Sequence, residues 1–227
     1  MNKKFLKRKH IILLIILAVM VVYSVGYLII KDARRNRYLS DFEPNTPEYA
    51  IAVENWDHQV APNAEWEYLK VNNSFLLCIY SYKNTVTGSY DIAACEKDGS
   101  YTFYKTPLYQ IHYVFSELFN DGVAVKNYLT EEVLVVVSPH NGHISTSNEF
   151  ENKNQFEPNT DELKVADSKG NAYSKMKSEY SNLVLYYHVY EKDEKITDVY
   201  ADYNGHIIEV AKSENIEKAI KGEWKYE

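Results

Sequence analysis

Residues 11 to 30 read Ile-Ile-Leu-Leu-Ile-Ile-Leu-Ala-Val-Met-Val-Val-Tyr-Ser-Val-Gly-Tyr-Leu-Ile-Ile, twenty positions without a charged side chain, and Lys and Arg crowd both ends of the run. At about 1.5 Å rise per residue, such a helix crosses a hydrocarbon core of roughly 30 Å. The chain is therefore expected to cross a membrane once. This divides it into a tail over 1–10, a transmembrane helix over 11–30, a basic juxtamembrane stalk over 31–41 and a long aqueous remainder.

The flanks set the orientation. Lys3, Lys4, Lys7, Arg8 and Lys9 precede the run with no acid among them, whereas Lys31, Arg34, Arg35 and Arg37 follow it beside Asp32. Basic residues stay cytoplasmic and acids count for little, so five against four leans towards a cytoplasmic N-terminus. The chain holds 25 basic and 32 acidic residues, of which nine and one precede Tyr38, leaving 16 and 31 and a net charge of −15 beyond it. That remainder is expected outside the cell membrane. A signal peptide has an apolar region of about 7 to 15 residues, shorter than this one, and Ser24 and Gly26 form only a weak cleavage signal before more apolar residues and a basic block. A retained signal anchor is expected. The cysteines, Cys78 and Cys95, lie far from the apolar run, which sets lipoprotein attachment aside.

An acidic remainder does not suit nucleic acid, whose phosphates demand clustered Lys and Arg, and the block from Lys31 to Arg37 is read as membrane-surface contact. The 21 tyrosines suit strands with one wet face, where the ring buries and the hydroxyl stays solvated. Sheet-rich structure follows.

Ser74 to Lys83 and Ser89 to Glu96 read as a hairpin over a short polar turn. A four-residue loop from Thr85 to Gly88 would set Cys78 opposite Cys95, within disulfide range. Closing that loop would stabilise by about 3 kcal/mol in the chain-entropy model and would agree with an external location.

The fold class expected is α+β, an N-terminal transmembrane helix followed by tandem helix-plus-antiparallel-meander units. Phe42-Glu43-Pro44-Asn45-Thr46 recurs as Phe156-Glu157-Pro158-Asn159-Thr160. After the first copy, Thr46 caps and Pro47 opens a helix through Tyr49, Val53 and Trp56, followed by a strand over Trp66 to Val71 and the Cys hairpin. After the second copy, Asp161 to Tyr180 is read as helical, with strands over Asn182 to Tyr190 and Thr197 to Tyr203. Asp98-Gly99, Asn141-Gly142 and Asn204-Gly205 mark tight turns, leading into Tyr101 to Lys105, His143 to Thr146 and Ile207 to Ala211. Between them, Leu108, Ile111, Phe115, Leu118 and Phe119 form a helical apolar stripe ending at Asp121-Gly122, with strands over Val123 to Leu129 and Val133 to Ser138. This gives an extracytoplasmic region over 42–150, itself divisible into 42–106 and 107–150, and a second over 151–227 that closes with a helix from Ser213 to Lys221.

The strand-turn-strand Val199-Tyr200-Ala201-Asp202-Tyr203-Asn204-Gly205-His206-Ile207-Ile208 is similar to the close of a PepSY domain, and the helix-then-meander pattern resembles the PepSY and cystatin-like small domains, mainly in residues 182–211. The resemblance covers about a quarter of the chain. It implies a membrane-tethered extracytoplasmic binding or regulatory module, of the kind found in envelope accessory proteins of Gram-positive bacteria, and no catalytic residues.

No pattern names a reaction. His140 and His143 flank a turn without further ligands, where zinc takes four. Ser174-x-x-Lys177 lacks the companion motifs of penicillin-binding enzymes. Asp198 and Asp202 share a face on a strand, as many acid pairs do in so acidic a chain. The better lead is aromatic: Tyr186, His188 and Tyr190 alternate onto one face of a strand, and Tyr80 and Tyr82 do so in the Cys hairpin, together a partner face if exposed and core if covered. The expectation is a non-enzymatic binding or regulatory protein of the cell envelope with no cofactor and no metal, whose partners are the membrane and an envelope protein or polymer. The alternatives are an envelope-acting enzyme with a dispersed site and a structural subunit of a secretion or conjugation assembly.

Overall fold

A computed structural model describes residues 3–58, 64–82, 88–104, 119–139 and 162–221. The stripe from Leu108 to Leu118, the Asn141-Gly142 turn with His140 and His143, the strand over 143–146 and the second Phe-Glu-Pro-Asn-Thr copy lie outside those residues. Contacts divide the chain into two units, Met1–His58 and Gln59–Glu227.

The first unit opens with α1, Lys3–Leu39, one unbroken helix of 37 residues and about 55 Å. Its segment Ile16–Leu39 is long and apolar enough to cross a membrane, and the most apolar stretch of 18 residues within it is nowhere buried. Residues 3–10 of the tail and 31–39 of the stalk are thus helical continuations of the apolar run. The second helix, α2 (Pro47–His58), starts as its capping residues dictate: Thr46 Oγ1 accepts from the Tyr49 amide at 3.2 Å, satisfying a donor that the helix leaves open. Tyr38 at the end of α1 stacks on Trp56 of α2 with ring centroids 5.6 Å apart and meets Phe42 edge-on.

The second unit is antiparallel throughout. Strands β1 (Ala64–Lys70), β2 (Phe75–Tyr82), β3 (Gly88–Cys95) and β4 (Tyr101–Tyr104) form a first sheet in chain order. A central sheet runs β5-β6-β9-β8 from Phe119–Lys126, Val133–Pro139, Val184–Tyr190 and Ser174–Lys177. A third runs β11-β10-β7 from His206–Ala211, Val199–Tyr203 and Leu163–Asp167.

The central sheet has a core on each face, and β6 shows why. Its run Val-Leu-Val-Val-Val-Ser-Pro is buried at every position, the pattern of a strand with no wet side. Leu134 and Val136 face the first sheet, packing with Phe75, Leu77, Ile79 and Ile92; Val133, Val135 and Val137 face the third, packing with Leu163, Val165, Val199 and Ala201. A register shift between Val199 and Tyr200 bulges β11, so that consecutive Val210 and Ala211 both enter the second of these cores. The closing helix α3, Ser213–Lys221, adds Ile216 and Ile220 to it.

Three expectations are corrected. Of the span Asp161 to Tyr180, the described residues 162–180 are not helical: Leu163, Val165 and Asp167 alternate inward as β7, Gly170 takes a φ of 89° in the following turn, and β8 comes next. Phe119 to Gly122 belongs to a strand and does not end a helix. The boundary near 150 cuts through the central sheet, because β9 pairs with β6 and so joins β8 and β9 of the second proposed region to β5 and β6 of the first. Strand edges pair by surface complementarity whatever the intervening chain length, and a local pattern carries no trace of that choice.

Candidate functional site

The aromatic face of β9 points inward. Tyr186 and Tyr190 are buried in the core against the third sheet, and the Tyr186 hydroxyl donates to the Leu163 carbonyl at 3.3 Å. His188 lies on the same side, its ring 4.8 Å from Tyr190 and 5.4 Å from Tyr173, with a buried Nε2 that has no hydrogen-bond partner. These three residues are thus no partner face, because the third sheet covers the side they share. Tyr80 lies elsewhere, on the outer face of the first sheet beside Trp66 at 5.0 Å. The side chain of Tyr82 is outside the described residues.

The cysteine register is also corrected. Cys78 stands opposite Asp91, and Cys95 opposite Tyr101 of β4. The hairpin pairs Ser81 with Gly88, so its connection is longer than four residues and the facing positions slide away from the Cys pair. No disulfide joins the two thiols.

Tyr190 belongs to a buried polar cluster centred on Asp167, the last residue of β7. The Asp167 carboxylate accepts from the amides of Lys169 (2.9 Å) and Asn171 (2.8 Å), from the Asn171 side chain (3.0 Å) and from the Thr197 hydroxyl (3.0 Å). Burial works to raise its pKa, but these hydrogen bonds prevail and hold it below the usual carboxylate range. The Tyr190 hydroxyl lies 3.5 Å from the same carboxylate and 3.3 Å from the Tyr173 hydroxyl. Burial pushes both phenols up, Tyr173 the further, so they stay protonated and serve as hydrogen-bonding struts. The cluster ties together the two crossings between the third and central sheets, over 168–173 and 191–198. Its chemistry is structural.

Other marked residues do not converge. Ser174 and Lys177 lie three apart on a strand and point to opposite faces, Ser174 opposite Tyr187 and Lys177 opposite Val184. Asp198 precedes β10 and caps α3, accepting from the Ser213 amide and hydroxyl at 2.8 Å each, whereas Asp202 takes the Gly205 amide of the Asn204-Gly205 turn. His206 is exposed beside that turn. Among the described residues, no group of three His, Cys, Asp or Glu side chains could hold a metal.

The arrangement best suited to contact a partner is the turn between β5 and β6, residues 127–132. Asn127 is buried, and its side-chain amide donates to the carbonyls of Ser74 and Cys95 at 3.1 Å each. Its Oδ1 accepts from the amides of Leu129 (2.8 Å) and Thr130 (3.3 Å), fixing the turn from within. The Ser74 hydroxyl meets Thr130 and the Glu132 carboxylate, and the Asn72 side chain donates to Glu132 at 3.3 Å. Glu131, in the left-handed region at φ 62°, pairs with Lys192 at 2.9 Å; that hydrogen bond holds its pKa down and raises that of Lys192. With Asn127 buried beneath it, the turn presents Tyr128 at 73% and Leu129 at 57% exposure. Tyr104 lies near enough that Glu96 and Tyr128, after burial, contribute to raising its pKa.

Sequence reading extends a strand through Leu129 and so passes over this turn. The available signal is Asn127 followed three residues later by Thr130, both side chains that compete with the backbone ladder and favour turns. Comparison with known proteins finds no family model, no curated protein and no solved structure that matches this chain.

Proposed function

We propose that the chain is a single-pass membrane protein with a cytoplasmic N-terminus, whose layered β unit lies outside the cytoplasm and acts without catalysis by binding an envelope partner through the 127–132 turn. The observation carrying this reading is that turn. Exposed loops are usually mobile, and binding through them costs ordering entropy, whereas a turn clamped by Asn127 and Glu132 presents Tyr128 and Leu129 already in place. Aromatic side chains on a rigid support are the usual anchors of interfaces. Tethering supports the reading as well, since α1 keeps the unit at the membrane surface and raises its effective concentration towards partners there.

External placement rests on the Lys3 to Lys9 cluster and the acidic remainder, now without help from a disulfide. The PepSY-like close over 199–208 agrees with an accessory binding role. The test is a photo-crosslinking residue placed at 128 or 129 in the full chain in intact cells, with position 207, also exposed, as control. A discrete adduct from the turn and none from 207 supports the proposal; equal labelling from both positions counts against it. Protease shaving of intact cells reads the orientation, and full protection of the acidic unit would reverse it.

A further inference from the structure

The unbroken course of α1 carries the helical phase of the apolar run into the basic block, and this places Tyr23, Tyr27, Lys31, Arg34 and Tyr38 on one side of the helix. Their spacings are four, four, three and four residues, each about one turn. Tyr23, Tyr27, Lys31 and Arg34 are exposed, and neither cation has an ion-pair or hydrogen-bond partner among the described side chains. Asp32, the sole acid of the block, stands about 100° round from Lys31 and about 160° from Arg34, where its carboxylate accepts from the Asn36 side chain at 3.5 Å. Side chains on a helix lean towards its N-terminus, so Lys31 and Arg34 reach back towards the bilayer and Tyr27.

We propose that this stripe is a binding site for one anionic phospholipid, the phosphate held between Lys31 and Arg34 and the glycerol and upper acyl chain lying along Tyr27 and Tyr23. The inference rests on reading α1 as a membrane span. A guanidinium and an ammonium on one face match a phosphate, and Arg adds two-point hydrogen bonding. The choice of an anionic headgroup comes from Asp32. A choline or ethanolamine head brings its own cation, and the stripe has no acid to receive it, because the one nearby carboxylate faces away and is engaged by Asn36. A phosphatidylglycerol-type head brings no such cation.

The test is native mass spectrometry of the full chain, extracted in mild detergent from vesicles of equimolar phosphatidylglycerol and phosphatidylcholine. The expected result is a single retained phosphatidylglycerol, favoured about tenfold over phosphatidylcholine, and loss of that preference in Lys31→Gln/Arg34→Gln. A second variant, Arg34→Gln/Asn36→Arg, keeps the net charge and moves one cation to the far side of the helix. Loss of the preference there too supports a site. Its survival would mean diffuse attraction and overturns the proposal, as would insertion with no preference at all. A chain that does not enter the vesicles overturns the membrane anchor itself, and the site with it.

Discussion

The side-chain amide of Asn127 donates to the carbonyl of Ser74 at 3.1 Å, across 53 residues of sequence. The bond ties the end of the central sheet's first strand to the start of β2 and holds the exposed turn in one shape. Asn127→Ala would orphan the carbonyl of Cys95, leave that of Ser74 with the Cys95 amide alone, and release the turn. The expected cost is about 1 to 3 kcal/mol by urea unfolding, from one buried acceptor left unpaired and a second stripped of one of its two donors. Crosslinking through position 129 should weaken in the same variant.

The Asp167 cluster makes stability depend on pH in a defined direction. Its pKa in the folded chain lies below the unfolded value, as does that of Asp198, where hydrogen bonds from the Ser213 amide and hydroxyl lead. Such groups contribute stability that is present above the unfolded pKa of about 3.9 and lost as pH falls through the folded pKa. Asp167→Asn should therefore cost about 1 to 3 kcal/mol near neutral pH, and the gap to the parent chain should narrow below about pH 4. Thermal unfolding followed from neutral to acid pH measures both. A gap that widens on acidification would refute this account.

Leu134 is wholly buried between the first and central sheets, while Ile207 is 66% exposed on β11. Leu134→Ala should cost about 2 to 5 kcal/mol and Ile207→Ala less than about 0.5 kcal/mol. Denaturant midpoints of the two variants, compared with the parent, decide the matter.

The thiols should behave independently. Unreduced peptide mapping is expected to find no link between Cys78 and Cys95, with Cys95 alkylated readily in the folded chain and Cys78 only after unfolding, since Cys78 is fully buried and Cys95 is not. A recovered Cys78–Cys95 peptide would show that the β2–β3 register slides in solution.

Gly205 has a φ of 83° and Asn204 one of 52°, the backbone that the β10–β11 hairpin turn requires. A methyl group at Gly205 would meet no neighbour within 4 Å, so Gly205→Ala isolates backbone strain from crowding. A loss of about 1 kcal/mol in thermal or urea unfolding is expected.

Where local chemistry dictates conformation, the sequence was sufficient. The charge-free run specifies a helix long enough to span a bilayer, Thr46 and Pro47 specify where α2 begins, Asn204-Gly205 specifies a hairpin, and Ser213 to Lys221 is α3 to the residue. Each depends on groups within a few positions of one another. Tertiary structure alone decided that Tyr186, His188 and Tyr190 face a third sheet and not solvent, that Cys78 meets Asp91, that β9 crosses to β6, and that Asn127 and Ser74 clamp a turn into a rigid, exposed tip. The physical reason is that alternation along a strand separates two faces but is silent on what covers either. Partners, register and burial in an antiparallel fold are settled by sheets packing across distances that no local pattern records.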